Sequence, residues 1–511
     1  MTKNDAHRGQ RIAKNTLMLY IMMLFILLVS FYTSRVVLNA LGETDYGMYG
    51  VVGGVVAMFT IISGSLSAAI TRFITFEMGK GSEGRLPEVF SSAVTIQVIL
   101  ALIVLLVAEP VGIWFIENYL NIAPDRMRAA HWVFQFSLLT FVINIISIPY
   151  NASIVAHEKM AAFSVIGIAE GLAKLAVAFL IMRSPIDRLI YYSFLMCVVA
   201  VGVRMAYTTY CRKRFAECRF RFVWDGKLLK QMFSFAGWNF IGVASGALRD
   251  HGGNILINIF GGTAANAARA LSVQLGGAVQ NFVTNFMTAV NPQITKSYAA
   301  DDKEYTMNLV FRSSKYSFFL LLVLALPVFL NVRPILDFWL EEVPDHTASF
   351  VRLALVLSLS ECISTSLVTL MLATGNIRNY QIIVGGLQLL NLPVSYLLLK
   401  AGAPLESILV VAIVISQISL FARLFLLKGM TGLNIGQFIV QVYLKQICIA
   451  ALAFLPSWWL TSLIGQTGLL KVIASCTVAV VITLGLIYVA GLDSDERKVV
   501  VSRIKAFLNR G

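Results

Sequence analysis

The stretch GVASGALRDHGGNILINIFGG, residues 242 to 262, sets Arg249, Asp250 and His251 side by side in a run that otherwise reads as membrane-spanning helix. Ionisable groups are costly in hydrocarbon and usually face a cavity or a partner. A guanidinium stays protonated and its fork matches carboxylate or phosphate oxygens, while a carboxylate at that depth can exchange a proton or hold a cation. Similar residues recur along the chain. GIAEGLAKLAVAFL holds Glu170 and Lys174 four apart, on one helical face. Arg35 falls late in the first apolar run, Arg269 early in the eighth, and Arg352 and Glu361 share the tenth. Arg249, Arg35, Lys174 and Arg269 are thus candidates to bind an anion, with Asn254 and Asn258 as hydrogen-bonding neighbours. Asp250, Glu170 and Glu361 are candidates for coupling to an ion.

Each has a plainer reading. Arg35 and Arg269 could snorkel to the interface. Glu170 and Lys174 could neutralise each other, and Glu361 could pair with Arg352. Arg249, Asp250 and His251 could mark a helix break near the outer surface. Successive helical residues point about 100° apart, so the three share one partner only if the helix unwinds.

The elements that carry these residues follow from composition. The chain has 511 residues, 58% hydrophobic and 13% charged, about half the charged share of a soluble protein. Runs of 18 or more apolar residues recur along it, each long enough for a bilayer core of roughly 30 Å. About fourteen spans are predicted, near 17–41, 47–70, 89–108, 129–150, 161–182, 189–210, 236–260, 269–291, 316–332, 348–373, 380–400, 405–427, 438–460 and 469–490. The run from Leu17 is too long for a signal-peptide core and lacks a small-residue cleavage site, so it is expected to stay as the first span.

The net charge of +14 is no sign of nucleic acid, because the basic residues sit in short loops between spans. Lys and Arg concentrate at the N-terminus, between Arg212 and Lys230, and after the last span, while the alternate loops carry Glu43, Asp45, Glu109, Glu117, Asp337, Glu341, Glu342 and Asp345. Both termini are therefore expected on the cytoplasmic side. The 212–230 stretch reads as a topological anchor on anionic lipid. On either side of it the sequence partly repeats: LNALGETDYGMYGVVGGVV from Leu38 is echoed by INIFGGTAANAARALSVQLGGAV from Ile257, aligning Gly42 with Gly261. An even number of spans per unit predicts parallel repeats about an axis along the membrane normal. The expected fold is an all-α polytopic membrane protein with two six-helix lobes around a central cavity and two further C-terminal helices. Its expected divisions are 1–211, a basic linker 212–232, 233–430, and 431–511 with the tail.

Catalytic motifs are missing. The sequence has no GxxxxGK[ST] loop and no HExxH, its five histidines are dispersed, and no CxxC pair occurs among its six cysteines. No catalytic residue, metal site or cofactor is expected.

NTLMLYIMMLFILLVSFYTSRVVLNALGETDYGMYGVVGGVV at 15–56, followed by TRFITFEMGKG at 71–81, resembles the start of the bacterial polysaccharide flippases of the multidrug/oligosaccharidyl-lipid/polysaccharide (MOP) exporter superfamily. The likeness lies in a long first helix ending in an Arg-containing segment, then LGxxDYGxY, a Gly-rich second helix and a short basic turn. It implies a non-enzymatic flippase in the bacterial inner membrane. Such a protein moves an undecaprenyl-diphosphate-linked oligosaccharide from the cytoplasmic to the periplasmic leaflet by alternating access. Membrane lipids, and a polysaccharide polymerase, are the implied partners. Arg35 is the one candidate inside the matched stretch. A lipid II flippase or a cation-coupled multidrug exporter of the same superfamily is the alternative. A membrane glycosyltransferase or polymerase fits less well, because the outer loops are short and polymerases of that kind tend to carry a large periplasmic loop.

Overall fold

The structure, a computed structural model, describes residues 3–57, 60–81, 84–118, 122–184, 186–340, 343–464, 468–494, 496–498 and 501. The acidic pair Glu341 and Glu342 and the basic residues Arg503, Lys505 and Arg510 of the tail lie outside the described residues. Among the described residues the chain is helical, with no strand. Eleven helices among the described residues are long and apolar enough to cross a membrane. A helix satisfies its own backbone, which lets an apolar run enter hydrocarbon at all. The exposed surface is accordingly apolar: Leu28 is 71% exposed, Leu106 75% and Leu470 82%.

The chain divides into two compact units, residues 1–244 with 288–302, and 245–287 with 303–511. The first contains α1 (Lys3–Leu41), α2 (Glu43–Ala57), α3 (Thr60–Gly79), α4 (Leu86–Asn118), α5 (Met127–Ala156), α6 (Met160–Leu180), α7 (Arg188–Arg214) and both ends of α8 (Gly226–Ala299). One core joins Val104 and Ala108 of α4 to Val133, Phe134, Leu138 and Ile145 of α5. The second unit contains the middle of α8, then α9 (Lys303–Leu330), α10 (Val332–Trp339), α11 (Thr347–Thr374), α12 (Arg378–Lys400), α13 (Ser407–Thr431), α14 (Ile435–Leu463) and α15 (Leu469–Gly491). Leu256, Ile257, Ala265 and Ala268 of α8 share a core there with Phe350, Leu399 and Ile408.

Eleven of the expected spans coincide with membrane-length helices. The other three fall on α2 and α3, which divide the 47–70 run, and on the two arms of α8. Though continuous in hydrogen bonding, α8 is not straight, because Gly262 has φ 74° and ψ −170°, a region essentially closed to side chains. The packing shows that the chain folds back at this point. Arg249 bonds Glu361 of α11, and Gly276 lies so close to Ala354 of the same helix that an added Cβ would be 3.6 Å from it. Unbroken helix would separate residues 249 and 276 by about 40 Å, whereas 354 and 361 are only about 10 Å apart. Gly42, with φ 81°, makes the corresponding break between α1 and α2. The conformational counterpart of Gly42 is therefore Gly262, one residue on from the Gly261 that the sequence alignment pairs with it.

Ion pairs tie the loops within each unit. In the first, Arg126 grips both Asp45 and Asp187, and Asp187 also caps α7 by accepting from the backbone N–H groups of Leu189 (3.0 Å) and Ile190 (3.1 Å). In the second, Glu406 accepts from Ser349 (2.7 Å) and lies 2.8 Å from His346 Nδ1.

Candidate functional site

The Gly262 hairpin determines which membrane-depth charges meet. Its first arm carries Arg249 and Asp250, its second Arg269, and α11 and α12 supply Glu361, Gln388 and Asn391. Arg249 donates Nε to Asp250 Oδ1 (3.0 Å) and one Nη to both Glu361 and the Gln388 side-chain oxygen, the latter at 3.3 Å. Gln388 also accepts from Asn391 Nδ2, at 3.4 Å. No unwinding is needed: the helix is regular through 249–251, and the long guanidinium reaches back to its neighbour's carboxylate. His251 is exposed.

Three readings of the sequence change here. Arg249 is not an open cation, since two carboxylates hold it. Glu361 pairs with Arg249 instead of Arg352, whose Nε lies 3.4 Å from the Phe329 carbonyl and whose guanidinium sits over the Phe329 ring. Arg269 does not snorkel. Its residue is only 7% exposed, its Nη1 makes one long hydrogen bond to Ser272 (3.4 Å), and its Nε has no partner among the described residues. A buried guanidinium without a carboxylate is strongly unfavourable unless an anion or water completes it.

Arg249, Asp250, Gly253, Arg269, Asn391 and Ser395 line one narrow cavity, closed on the apolar side by Leu357, Leu392, Ile408, Leu409 and Ala412. Its two guanidiniums and its two carboxylates, with Glu361 behind Arg249, are formally neutral. The carboxylates both sit on Arg249, so the unmet demand for negative charge falls on Arg269. The side-chain oxygen of Asn254 is likewise buried without a partner among the described residues, while Asn258 is exposed.

Arg35, Glu170 and Lys174 belong to the first unit. Glu170 and Lys174 form an ion pair of 2.6 Å, each side chain a third or more exposed, and Arg35 is exposed. Sequence reading passed over two further arginines at membrane depth. Arg204 bonds Ser147 (3.3 Å) and lies over the Tyr150 ring, and Arg423 bonds the Tyr380 hydroxyl (3.3 Å). Both sit inside apolar runs, which was signal enough to find them. Gln388 and Asn391 carried no such signal, because neutral amides are common in spans.

The family model described as "Polysaccharide biosynthesis protein" matches residues 12–298, more than half of the chain. This chain belongs to the polysaccharide biosynthesis protein family. No curated protein matches it in sequence. In fold, this family member is similar to a MOP superfamily transporter of Pyrococcus furiosus, at TM-score 0.72 and 11% identity over 83% of this chain and 96% of that one. That structure is described as having a binding pocket of reverse polarity that suggests a different function. A multidrug resistance MATE transporter in an outward-facing conformation matches at TM-score 0.72 and 11% identity, over 83% and 96%. A Vibrio cholerae MATE transporter matches at 0.66 and 16%, over 85% and 99%. This member of the polysaccharide biosynthesis family is thus a multi-pass membrane protein of the MOP transporter fold.

Proposed function

We propose that the protein is a flippase for an undecaprenyl-diphosphate-linked oligosaccharide. On this reading it works in a bacterial inner membrane with both termini cytoplasmic and carries its cargo to the periplasmic leaflet by alternating access between lobes 1–211 and 233–430. The family supports the pathway and the fold supports transport. The observation that carries the cargo's charge is Arg269, a buried guanidinium with no carboxylate in ion-pair range among the described residues, in a cavity it shares with Arg249. A pump for cations would place unpaired acid there instead.

A diphosphate cannot cross hydrocarbon without replacement of its hydration. Arg269 supplies one fork, and Arg249 a second where the diphosphate takes the place of Glu361 on its Nη. Asn254 and Asn258 offer hydrogen bonds to sugar hydroxyls. Arg35 and Lys174 add positive charge in the first unit, Lys174 in exchange for its bond to Glu170. The lipid tail stays in the bilayer while the two lobes rock.

The test is a leaflet assay in proteoliposomes with fluorescent undecaprenyl-diphosphate oligosaccharide. Wild type accelerates transfer, while Arg269→Gln and Arg249→Ala lose at least about tenfold of it, the worth of one charge-assisted hydrogen bond. Folded wild type that accelerates nothing would sink the reading.

A further inference from the structure

The end of the first unit where α1 begins holds a second charged cavity, of about 670 Å³, within the range of small-ligand sites. Gln10, Arg11 and Lys14 of α1 line it along one helical face, opposite Gln293, Lys296 and Ser297 near the end of α8. Glu158, in the three-residue turn between α5 and α6, is the buried anion at its wall.

Glu158 is fully engaged. Its side chain is 1% exposed and accepts from Arg11 Nε (2.8 Å), Lys296 Nζ (2.8 Å) and Gln293 Nε2 (2.6 Å). Its carbonyl accepts from Asn15 Nδ2 at 3.1 Å. The residue holds φ at 57°, a left-handed conformation that a glutamate keeps only when its surroundings impose it. The cations are not fully used. Arg11 is half exposed, with its Nε 2.8 Å from a Glu158 carboxylate oxygen. Lys14 is exposed and has no ion pair among the described residues. The cavity therefore presents unspent donors of positive charge around a carboxylate that already satisfies two of them. Asp302, also on its rim, is the other carboxylate there.

We propose that this cavity is a loading site for the diphosphate of a lipid-linked cargo, with Arg11 and Lys14 as its contacts and Glu158 as the internal anion that occupies Arg11 and Lys296 until the cargo arrives. This rests on the flippase reading for the identity of the diphosphate. Arg11 and Lys14 stand three apart on α1, so both reach one ligand from one helix face. A diphosphate brings more negative charge than one carboxylate and can take Arg11 in a two-pronged bond. As it does so, Glu158 loses a partner, and the start of α1 loses its tie to the turn before α6. Loading would thus loosen a contact between segments distant in sequence.

The experiment measures binding of fluorescent undecaprenyl diphosphate, without sugar, to the full chain in phosphatidylcholine nanodiscs. Inorganic pyrophosphate and phosphatidylglycerol serve as competitors. Lys14→Gln, at an exposed and unpaired position, weakens binding about tenfold, and pyrophosphate competes. Glu158→Gln, if it folds, tightens binding, because the competing charge is gone; a purely structural Glu158 would give the opposite or no change. Binding that ignores Lys14→Gln, or that phosphatidylglycerol displaces as well as pyrophosphate does, overturns the proposal. A protein that flips the oligosaccharide but binds without regard to Lys14 loses the loading site and keeps the flippase reading. One that binds here yet flips nothing does the reverse.

Discussion

Arg249 hydrogen-bonds Glu361 across 112 residues of sequence, and this bond joins the first arm of the α8 hairpin to α11. The same guanidinium holds Asp250 on its own helix, so one cation bridges a local and a distant carboxylate. The Arg249 side chain is 17% exposed and that of Glu361 37%. Removing Arg249 leaves Glu361 partly buried without this partner, and removing Glu361 leaves Arg249 with Asp250 alone, each costing more than the pair itself contributes.

A double-mutant cycle follows from that asymmetry. Arg249→Ala and Glu361→Ala each destabilise the protein, by roughly 1–3 kcal/mol after allowing for the exposure of Glu361. The double variant is less destabilised than the two single effects combined, by at least about 0.5 kcal/mol. Thermal unfolding of the four proteins in detergent measures it. Strict additivity would show that the contact carries no coupling.

Gly262 and Gly246 separate two roles of glycine on one helix. Neither would bring an added Cβ within 4 Å of a neighbour, yet only Gly262 has a positive φ. Gly262→Ala should destabilise by about 1–3 kcal/mol through backbone strain alone. Gly246→Ala should be neutral or stabilising by up to about 1 kcal/mol, since alanine favours helix. Equal effects of the two changes would remove the hairpin turn at Gly262 from the account.

Asp187 predicts an acid limb. Burial pushes its carboxyl up, but the hydrogen bond and charge of Arg126 and the backbone N–H groups of Ile190 and Leu189 outweigh burial and hold it below its ordinary value. A carboxylate depressed in the folded state adds stability above its unfolded pKa, and that stability is lost as pH falls through the folded value. The affected window therefore lies below about pH 4. Asp187→Asn keeps a capping side chain while removing the charge. Melting temperatures between pH 7 and pH 3 should fall less steeply in the variant than in wild type, and identical slopes would refute the assignment.

Local chemistry explains what was legible beforehand. Hydropathy over a span-length window is a property of contiguous residues, so α1, α4 to α7 and α9 and α11 to α15 could be drawn before any contact was known. The break in α8 was partly legible: the Gly261-Gly262 pair marked it, but only the backbone shows which glycine turns. The 47–70 run misled because α2 and α3 are both apolar and a window average does not register the division between them.

The sequence by itself determined that this chain enters a membrane, roughly where it crosses, and which costly charges it takes in, because each of these depends on residues near one another in the chain. Glu170 and Lys174, four apart on one helix, pair as their spacing suggests, but which distant charges meet was decided by tertiary structure alone. Arg249 reaches Glu361 rather than leaving it to Arg352, Arg269 is buried with no carboxylate in ion-pair range among the described residues, and Glu158 gathers Arg11, Gln293 and Lys296 from the two far ends of its unit. Such partners are chosen by how helices pack and in what register. An ion pair between distant residues forms only where packing brings two side chains within a few ångströms, and spacing along the chain carries no record of that.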